Sequence, residues 1–360
     1  MNLSDIGWSN YFESFFHDYR EKGLMPYRVS QEHKSRYVIL GENGELSAEI
    51  SGKFRHDALS KGDFPAVGDW VAASPRPEEG TATIHAVLPR KSGFSRKAAG
   101  RVTEEQIVAA NIDTVFLVSG LDYDFNPRRI ERYIAISWEC GANPVIILNK
   151  TDLCEDLEAK IEEVETIAFG IPIISISAKN KDGLDQLKEY LKHRQTAAFL
   201  GSSGVGKSTI INGLLGYERQ LVREIREDDS KGRHTTTYRE LIVLPEGGIL
   251  IDTPGMRQIK LWDDEGELSR TFDDIEELAL QCKFRDCSHS GEPGCAIRKA
   301  LEEGKLDKKR WNNYNKLQKE LKYLEARKDT KEMRRQQREF DKKVRQYHLQ
   351  VKELRKFRGH

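Results

Sequence analysis

Eight residues, Gly201-Ser-Ser-Gly-Val-Gly-Lys207-Ser208, constrain the fold of this 360-residue chain more than any other feature. They fit the pattern Gly, four residues, Gly-Lys-Ser, in which glycines let backbone N–H groups converge on a phosphate without side-chain clash. The apolar run Ala197–Leu200 precedes them and a helical run, Thr209–Leu215, comes after. Such a loop belongs between a buried strand and the N-terminus of a helix, whose dipole favours an anion. This part of the chain is therefore committed to an α/β layout. The candidate phosphate-binding residues are Gly201, Ser202, Ser203, Gly204, Val205, Gly206, Lys207, Ser208 and Thr209. Lys207 would reach the terminal phosphates and Ser208 would bind Mg²⁺. The competing reading is an ordinary Gly/Ser loop before a helix.

Other near-continuous apolar runs have the texture of strands buried on both faces: Thr114–Ser119, Val145–Leu148, Ile173–Ile176, Leu241–Leu244 and Ile249–Ile251. Helical stretches alternate with them, at Arg129–Cys140, Glu155–Phe169 and Leu184–Lys192. The alternation predicts a parallel-sheet α/β domain over 101–265. Before it, short β-rich runs (Tyr37–Leu40, Asp69–Ala73, Thr83–Leu88) are divided by turn residues, which predicts a small antiparallel barrel between Arg36 and Pro89. Residues 1–30 form an amphipathic segment with Trp8, Tyr11, Phe12, Phe15 and Phe16 near helical spacing. A basic linker carries Arg90, Lys91, Arg96, Lys97 and Arg101, so that the first domain spans 1–100.

Two further segments address the base. Asn149-Lys150-Thr151-Asp152 directly succeeds an apolar run, and an Asp carboxylate there can accept two N–H bonds from the guanine edge. Adenine lacks that donor pair and would leave the carboxylate unpaired, a mismatch that rejects an analogue by ~10⁴ or more. Ser177-Ala178-Lys179 comes after the next run, where its backbone can back the ring. Asp252-Thr253-Pro254-Gly255 ends another run, with Asp252 placed to hold a metal through water and the Gly255 N–H to sense a γ-phosphate. Upstream, Thr235 and Thr236 in the run 232–237 offer the same metal a hydroxyl. Each segment alone is an ordinary turn; their co-occurrence is what points to a nucleotide.

Cys282-x₄-Cys287-x-His289-x₅-Cys295 places three thiols and an imidazole on one short loop. That donor set matches a closed tetrahedral zinc site of structural type, against the reading of free thiols in a core. Cys140 and Cys154 stand apart and read as plain core residues. The formal net charge of zero hides a split: residues 305–360 hold 20 Lys+Arg against 8 Asp+Glu. Tyr314, Leu317, Leu321 and Leu324, then Phe340, Val344, Tyr347, Val351 and Leu354, recur at helical spacing. The tail is thus either a coiled-coil-like helix or a basic arm on nucleic acid, and its charge favours RNA. The third region, 266–360, is a helical zinc-binding module with this tail. The sequence holds no run of 18 apolar residues, which argues against a membrane-spanning helix. The start lacks a basic flank before an apolar run, and five scattered cysteines do not make a disulfide scaffold. The expectation is a cytoplasmic protein.

The motif set resembles the translation-factor-like GTPases, with one difference of order. Here the base-reading segments come first, then the phosphate loop, then the threonines and Asp252–Gly255. The domain is therefore expected to be a circularly permuted P-loop GTPase, because a sheet and its edge loops survive relocation of the termini. Over roughly 35–300, including Phe64-Pro-Ala-Val-Gly-Asp-Trp70 and the linker 90–100, the chain is similar to the RsgA (YjeQ) family of small-ribosomal-subunit biogenesis GTPases. The resemblance implies a multidomain α/β protein with an N-terminal OB-fold β-barrel, a permuted GTPase domain and a zinc module. It implies rRNA and the small ribosomal subunit as partners, one structural Zn²⁺, Mg²⁺ with GTP or GDP, no membrane contact, and a monomer. It also implies late subunit maturation with ribosome-stimulated GTP hydrolysis. The position after Gly255 is Met256, which cannot orient water as a glutamine would. The resemblance points to His234 as the substitute, against a loop histidine with no chemical role. A nucleotide-gated RNA-binding scaffold with little turnover is the alternative function.

Overall fold

The computed structural model describes residues 1–33, 36–97, 105–218, 239–252, 272–284, 287–289, 291–308 and 310–318. The chain divides into two units, Met1–Lys260 and Leu261–His360. The first unit opens with β1 (Met25–Glu32), β2 (Tyr37–Gly41), β3 (Gly44–Ile50), β4 (Trp70–Arg76) and β5 (Thr81–Val87). Their pairing runs β1-β2-β3-β5-β4 and returns to β1, so five strands close a barrel of OB type. All pairs are antiparallel except β3 with β5. Strand alternation explains the two faces of β4. Val71 and Ala73 point into the barrel with Tyr27, Val29, Ile39 and Ile84. Trp70 and Ala72 point outward, where helix α1 (Asn10–Arg20) covers them with Phe12 and Phe16. Tyr11 and Phe15 stay exposed on the other face of α1.

The barrel differs from the sequence reading in two places. It begins at Met25, not Arg36, because the charged centre of β1, Arg28, is buried rather than in solvent. β3 was hidden behind the turn at Gly41–Gly44, because its outward positions are Glu and Ser. The basic linker is also more structured than expected. β6 (Gly93–Lys97) and β7 (Glu105–Ala110) pair as an antiparallel ribbon. Arg90 is bound to the fold: Nε and Nη2 donate to the fully buried Asp69 carboxylate at 2.8 and 2.7 Å, and Nη1 and Nη2 also donate to the Gly62 and Phe64 carbonyls. Arg101 lies outside the described residues.

The remaining strands of the unit are β8 (Thr114–Gly120), β9 (Asn143–Asn149), β10 (Ile173–Ile176), β11 (Thr196–Leu200), β12 (Glu240–Val243) and β13 (Ile249–Asp252). They lie in the order β10-β9-β8-β11-β13-β12 and are parallel except β12, which runs against β13. Helices α3 (Pro127–Glu139), α4 (Leu157–Glu165) and α6 (Lys207–Leu215) connect them. The expected helix at Leu184–Lys192 is shorter: α5 (Asp185–Lys188) passes into a 3₁₀ segment, and His193 turns to φ 57. Helix α2 (Gly52–Asp57) is capped by the Ser51 hydroxyl, which accepts from the Phe54 N–H. Cys140 and Cys154 are half-buried rather than in the core.

The barrel and the parallel sheet are continuous. β1 pairs with β12 at Gln31 and Glu240, the Gln31 amide donates to the Glu240 carboxylate at 3.2 Å, and Arg239 pairs with Glu32 at 2.7 Å. In the second unit, α7 (Asp273–Leu280) and α8 (Ala296–Glu302) are succeeded by helical residues at 310–318. Arg310 forks onto the Asp274 carboxylate at 2.9 and 2.7 Å and lies 4.9 Å above the Phe272 ring. Leu317 is buried, whereas Leu321, Leu324 and the tail positions from Phe340 to Leu354 lie outside the described residues. No described helix is long and apolar enough to cross a membrane.

Candidate nucleotide site and metal-ligating cluster

Because β8 to β11 and β13 are parallel, their C-terminal ends share one edge of the sheet. Register places Leu200 beside Leu117, Gly120 beside Asn149, Asn149 beside Ile176, and Ile251 beside Ala198. The segments after those strands are Gly201–Ser208, Leu121–Asn126, Lys150–Asp152 and Ser177–Lys179, and half-buried Asp252 closes β13. Segments far apart in the chain are thus neighbours in space. Ligands of open α/β sheets bind in this edge crevice.

Asn149 joins the two expected halves. Its buried side chain donates from Nδ2 to the Val205 carbonyl at 2.7 Å and accepts at Oδ1 from the Ala178 N–H at 3.0 Å. One amide therefore ties 149–152 to both the glycine loop and 177–179. Exposed Asp152 accepts from the Ser177 hydroxyl at 2.6 Å, and Asn180 N–H donates to that hydroxyl at 3.3 Å. Lys179 is exposed and Thr151 half-buried. Gly206 has φ 99, and a Cβ there would sit 2.2 Å from Asn149 Nδ2. Only glycine satisfies both the left-handed backbone and that approach.

Gly206 caps α6, so the first turn of this helix carries Lys207, Ser208 and Thr209 at the crevice. Val205 is fully buried and anchors the loop, while Ser203, Gly204, Ser208 and Thr209 are exposed. Lys207 Nζ donates to the Gly201 and Ser202 carbonyls at 2.7 and 2.5 Å. His234, Thr235, Thr236, Gly255 and Met256 lie outside the described residues.

Three neighbours were missed in the sequence. The segment after β8 carries Asp122, whose carboxylate bonds Lys150 Nζ, and Asp124, whose carboxylate bonds the Ser202 hydroxyl. Arg129 on α3 donates from Nη1 to Asp124 at 2.7 Å and to Ser202 Oγ at 2.8 Å. The hydrogen bond from Lys150 holds the Asp122 carboxyl below the usual carboxylate range, and that from Arg129 does the same for Asp124. The available signal was Asp-Tyr-Asp directly after a buried apolar strand, a place where charge needs a partner.

In the second unit, Cys282, Cys287, His289 and Cys295 bring their ligand atoms within 4.8 Å of one another. Cys282 and Cys295 sulfurs lie 3.6 and 3.5 Å from His289 Nδ1. Backbone N–H groups of Ala296 and Arg298, in the first turn of α8, donate to the sulfurs of Cys282 and Cys295 at 3.3 and 3.4 Å. Burial works against ionisation, but the backbone N–H groups of Ala296 and Ile297 draw the Cys282 thiol below its usual range, and thiolate is the form that binds metal. The Trp311 ring stands edge-on to His289, with centroids 5.6 Å apart. These four residues could hold a metal ion.

A closed barrel continuous with a sheet whose base-side segments precede its phosphate loop defines the class: a circularly permuted P-loop GTPase with an OB-type domain. The RsgA GTPase family model matches residues 87–262, and that of a 50S ribosome-binding GTPase matches 196–331. The small ribosomal subunit biogenesis GTPase RsgA of Opitutus terrae is 46% identical over 338 residues, which cover 91% of this chain and 92% of the relative. The protein of that name from Methanosarcina acetivorans is 42% identical over 355 residues, 98% of this chain and 93% of the relative. The crystal structure of YjeQ from Thermotoga maritima is 31% identical, with a TM-score of 0.62, over 83% of this chain and 98% of that one. The crystal structure of YloQ, described as a circularly permuted GTPase, shares the fold at 24% identity and a TM-score of 0.56, over 85% and 96% of the two chains. This chain belongs to the RsgA family.

Proposed function

We propose that this chain is a GTPase of small-ribosomal-subunit biogenesis, which binds the subunit and its rRNA late in maturation and hydrolyses GTP to GDP and phosphate under ribosome stimulation. The observation that carries the GTP reading is Asn149, whose one side chain spans the glycine loop and the 177–179 segment. A pocket built across that bridge would hold guanine on the Asp152 side and phosphates on the Lys207 side. Full-length relatives named for the small subunit favour it over the 50S partner named in the shorter match. Their description as GTPases also favours an enzyme over a scaffold with little turnover. Co-sedimentation with separated subunits tests the partner. Pelleting with small subunits in a non-hydrolysable GTP analogue, and less in GDP, is expected; equal pelleting in both nucleotides, or with large subunits instead, removes the reading.

Asp152 reads guanine in this proposal, with Lys150, Thr151 and 177–179 around the base. Asp152→Asn exchanges a double acceptor for one acceptor and one donor. GDP affinity should fall by ~100-fold or more and xanthosine diphosphate should become the better ligand. Undiminished GDP binding in a fluorescence titration would remove Asp152 from the base site. Gly201–Thr209 would cradle the phosphates, Ser208 with Thr235 or Thr236 and Asp252 would hold Mg²⁺, and the Gly255 N–H would meet the γ-phosphate. Mg²⁺ would neutralise developing charge on the phosphoryl oxygens. Loss of the γ-phosphate would release the segments around Thr235 and Gly255, and with them the grip on rRNA.

His234 orients the attacking water in place of the absent glutamine. His234→Ala should remove ribosome-stimulated turnover, by ~100-fold or more, with GTP affinity nearly unchanged. Stimulated phosphate release at the wild-type rate would leave His234 without a chemical role.

The metal of the second unit is zinc, held by Cys282, Cys287, His289 and Cys295. Three sulfurs and a nitrogen on a segment this short suit Zn²⁺, whose binding supplies folding free energy to residues with little core of their own. Purified protein should contain one zinc per chain, and a chelator should change the fluorescence of Trp311, which stands against His289. Zinc-free protein with unaltered Trp311 emission would refute a structural zinc. The protein acts as a cytoplasmic monomer, without a membrane, and its basic tail adds to the RNA contact.

A further inference from the structure

The sheet order carries an inference about how the phosphate loop is held. β8 lies between β9, which ends at Asn149, and β11, which ends at the glycine loop. The segment after β8 must therefore emerge between the base-side and phosphate-side segments. It bears Asp122 and Asp124, and each reaches one neighbour: Asp122 to Lys150 on the base side, Asp124 to Ser202 on the phosphate side. Arg129 closes the phosphate-side group into a triangle. Its Nη1 donates at 2.7 Å to Asp124 Oδ2 and at 2.8 Å to Ser202 Oγ. Both side chains of the Asp124–Arg129 pair are about one-third exposed, so the pair lies at the mouth of the crevice rather than in the core.

Ser202 is then held on two sides. Its hydroxyl is gripped by Asp124 and Arg129, while its carbonyl accepts from Lys207 Nζ at 2.5 Å. Between Ser202 and the buried Val205 the loop has little to fix it. Gly204 has φ 78 with nothing near its Cβ position, and Ser203 is exposed. A glycine-rich segment loses more conformational freedom on ordering than any other. An external grip on Ser202 would remove part of that cost before the ligand arrives.

We infer that Asp124 and Arg129 form a latch that holds the phosphate loop in its receiving shape in the absence of nucleotide, a positioning role exerted through Ser202. The inference rests on the reading of 201–208 as the phosphate site. Without the latch the loop samples several shapes, and apparent affinity falls in proportion to the competent fraction. Asp124 acts through Ser202, on the phosphate side of the crevice, so base preference is untouched.

The experiment is a stopped-flow titration of the full chain with a fluorescent GDP analogue. Lys207→Ala serves as a separate check of the phosphate site: if wild type binds and Lys207→Ala does not, the phosphate-site reading stands whatever the latch does. Asp124→Ala should raise Kd about tenfold, chiefly through a slower association rate, as expected if the competent fraction drops to about one in ten. Ser202→Ala, which deletes only a hydroxyl and covers the case of a poorly folded Asp124 variant, should have the same effect. The double variant should also stay near tenfold, because both changes break one contact. Thermal midpoints without nucleotide should match wild type, as should the preference for guanine over hypoxanthine diphosphates. Wild-type affinity in both single variants, or a double variant near the hundredfold product of independent effects, would overturn the latch.

Discussion

Replacing Gly206 by alanine removes nucleotide binding from this protein: GDP affinity falls at least ~100-fold, or ~2.7 kcal/mol. Two independent effects add. The position has φ 99, where an L-residue costs roughly 1–2 kcal/mol over glycine. The added methyl would also lie 2.2 Å from Asn149 Nδ2, well inside contact distance. Asn149 must therefore move, and its bonds to Val205 and Ala178 go with it. The base-side and phosphate-side segments then lose their shared support. Gly204→Ala is the matched comparison, because Gly204 has φ 78 but open space around its Cβ position. It carries backbone strain alone and should cost about tenfold or less. Equal losses in the two variants, read by equilibrium titration, would mean that the Asn149 bridge does not matter to binding.

Arg28→Met should destabilise the first unit by roughly 3–5 kcal/mol, since it strands several buried acceptors at once. Arg28 sits on a barrel strand and is 1% exposed. Its guanidinium donates to the Ile6 carbonyl at 2.7 Å, Gly68 carbonyl at 3.2 Å, Asn111 carbonyl at 3.3 Å and Thr196 Oγ1 at 2.9 Å. One side chain thus joins the N-terminal segment, the barrel, the end of the β7 ribbon and the first residue of the phosphate-loop strand. Burial pushes its pKa down to about 10, while Asp113 and Asp69 pull the other way. It is still cationic at neutral pH. Methionine fills similar volume but offers no donor. Lysine keeps the charge yet cannot span four acceptors, so Arg28→Lys should recover less than half of the loss. In a unit of this size the methionine variant should melt on the order of 10 °C lower. A fall below about 3 °C by calorimetry would show that the network contributes little beyond packing.

The site was more legible in the sequence than its supports. Glycine spacing around Lys207, the carboxylate of Asp152 and the Cys282–Cys295 cluster each carry a local chemical demand, and a local demand leaves a local pattern. Arg28, Asp69, Asp122, Asp124 and Arg129 leave no local pattern that names their partners. Each is a charged residue whose partner lies across the fold, such as Asp69 with Arg90 and Asp124 with Ser202. Arg28 is the sharpest case, because a cation at mid-strand is ordinarily solvated and here is buried. Arg90 is a similar case: it stands in a basic run, yet it holds a buried carboxylate.

The sequence by itself determined the α/β layout around 197–215, the donor types gathered at the candidate nucleotide and metal residues, and the rotated motif order. Those come from side-chain type and spacing of a few residues. Only the tertiary structure decided that β1 closes the barrel and also meets β12, that Asn149 joins the two halves of the crevice, and that the segment after β8 grips both. The reason is that strand order and register are set by burial of side chains distant in the chain. A pattern of a few residues records which groups need partners, and the packed sheet chooses which partners they get.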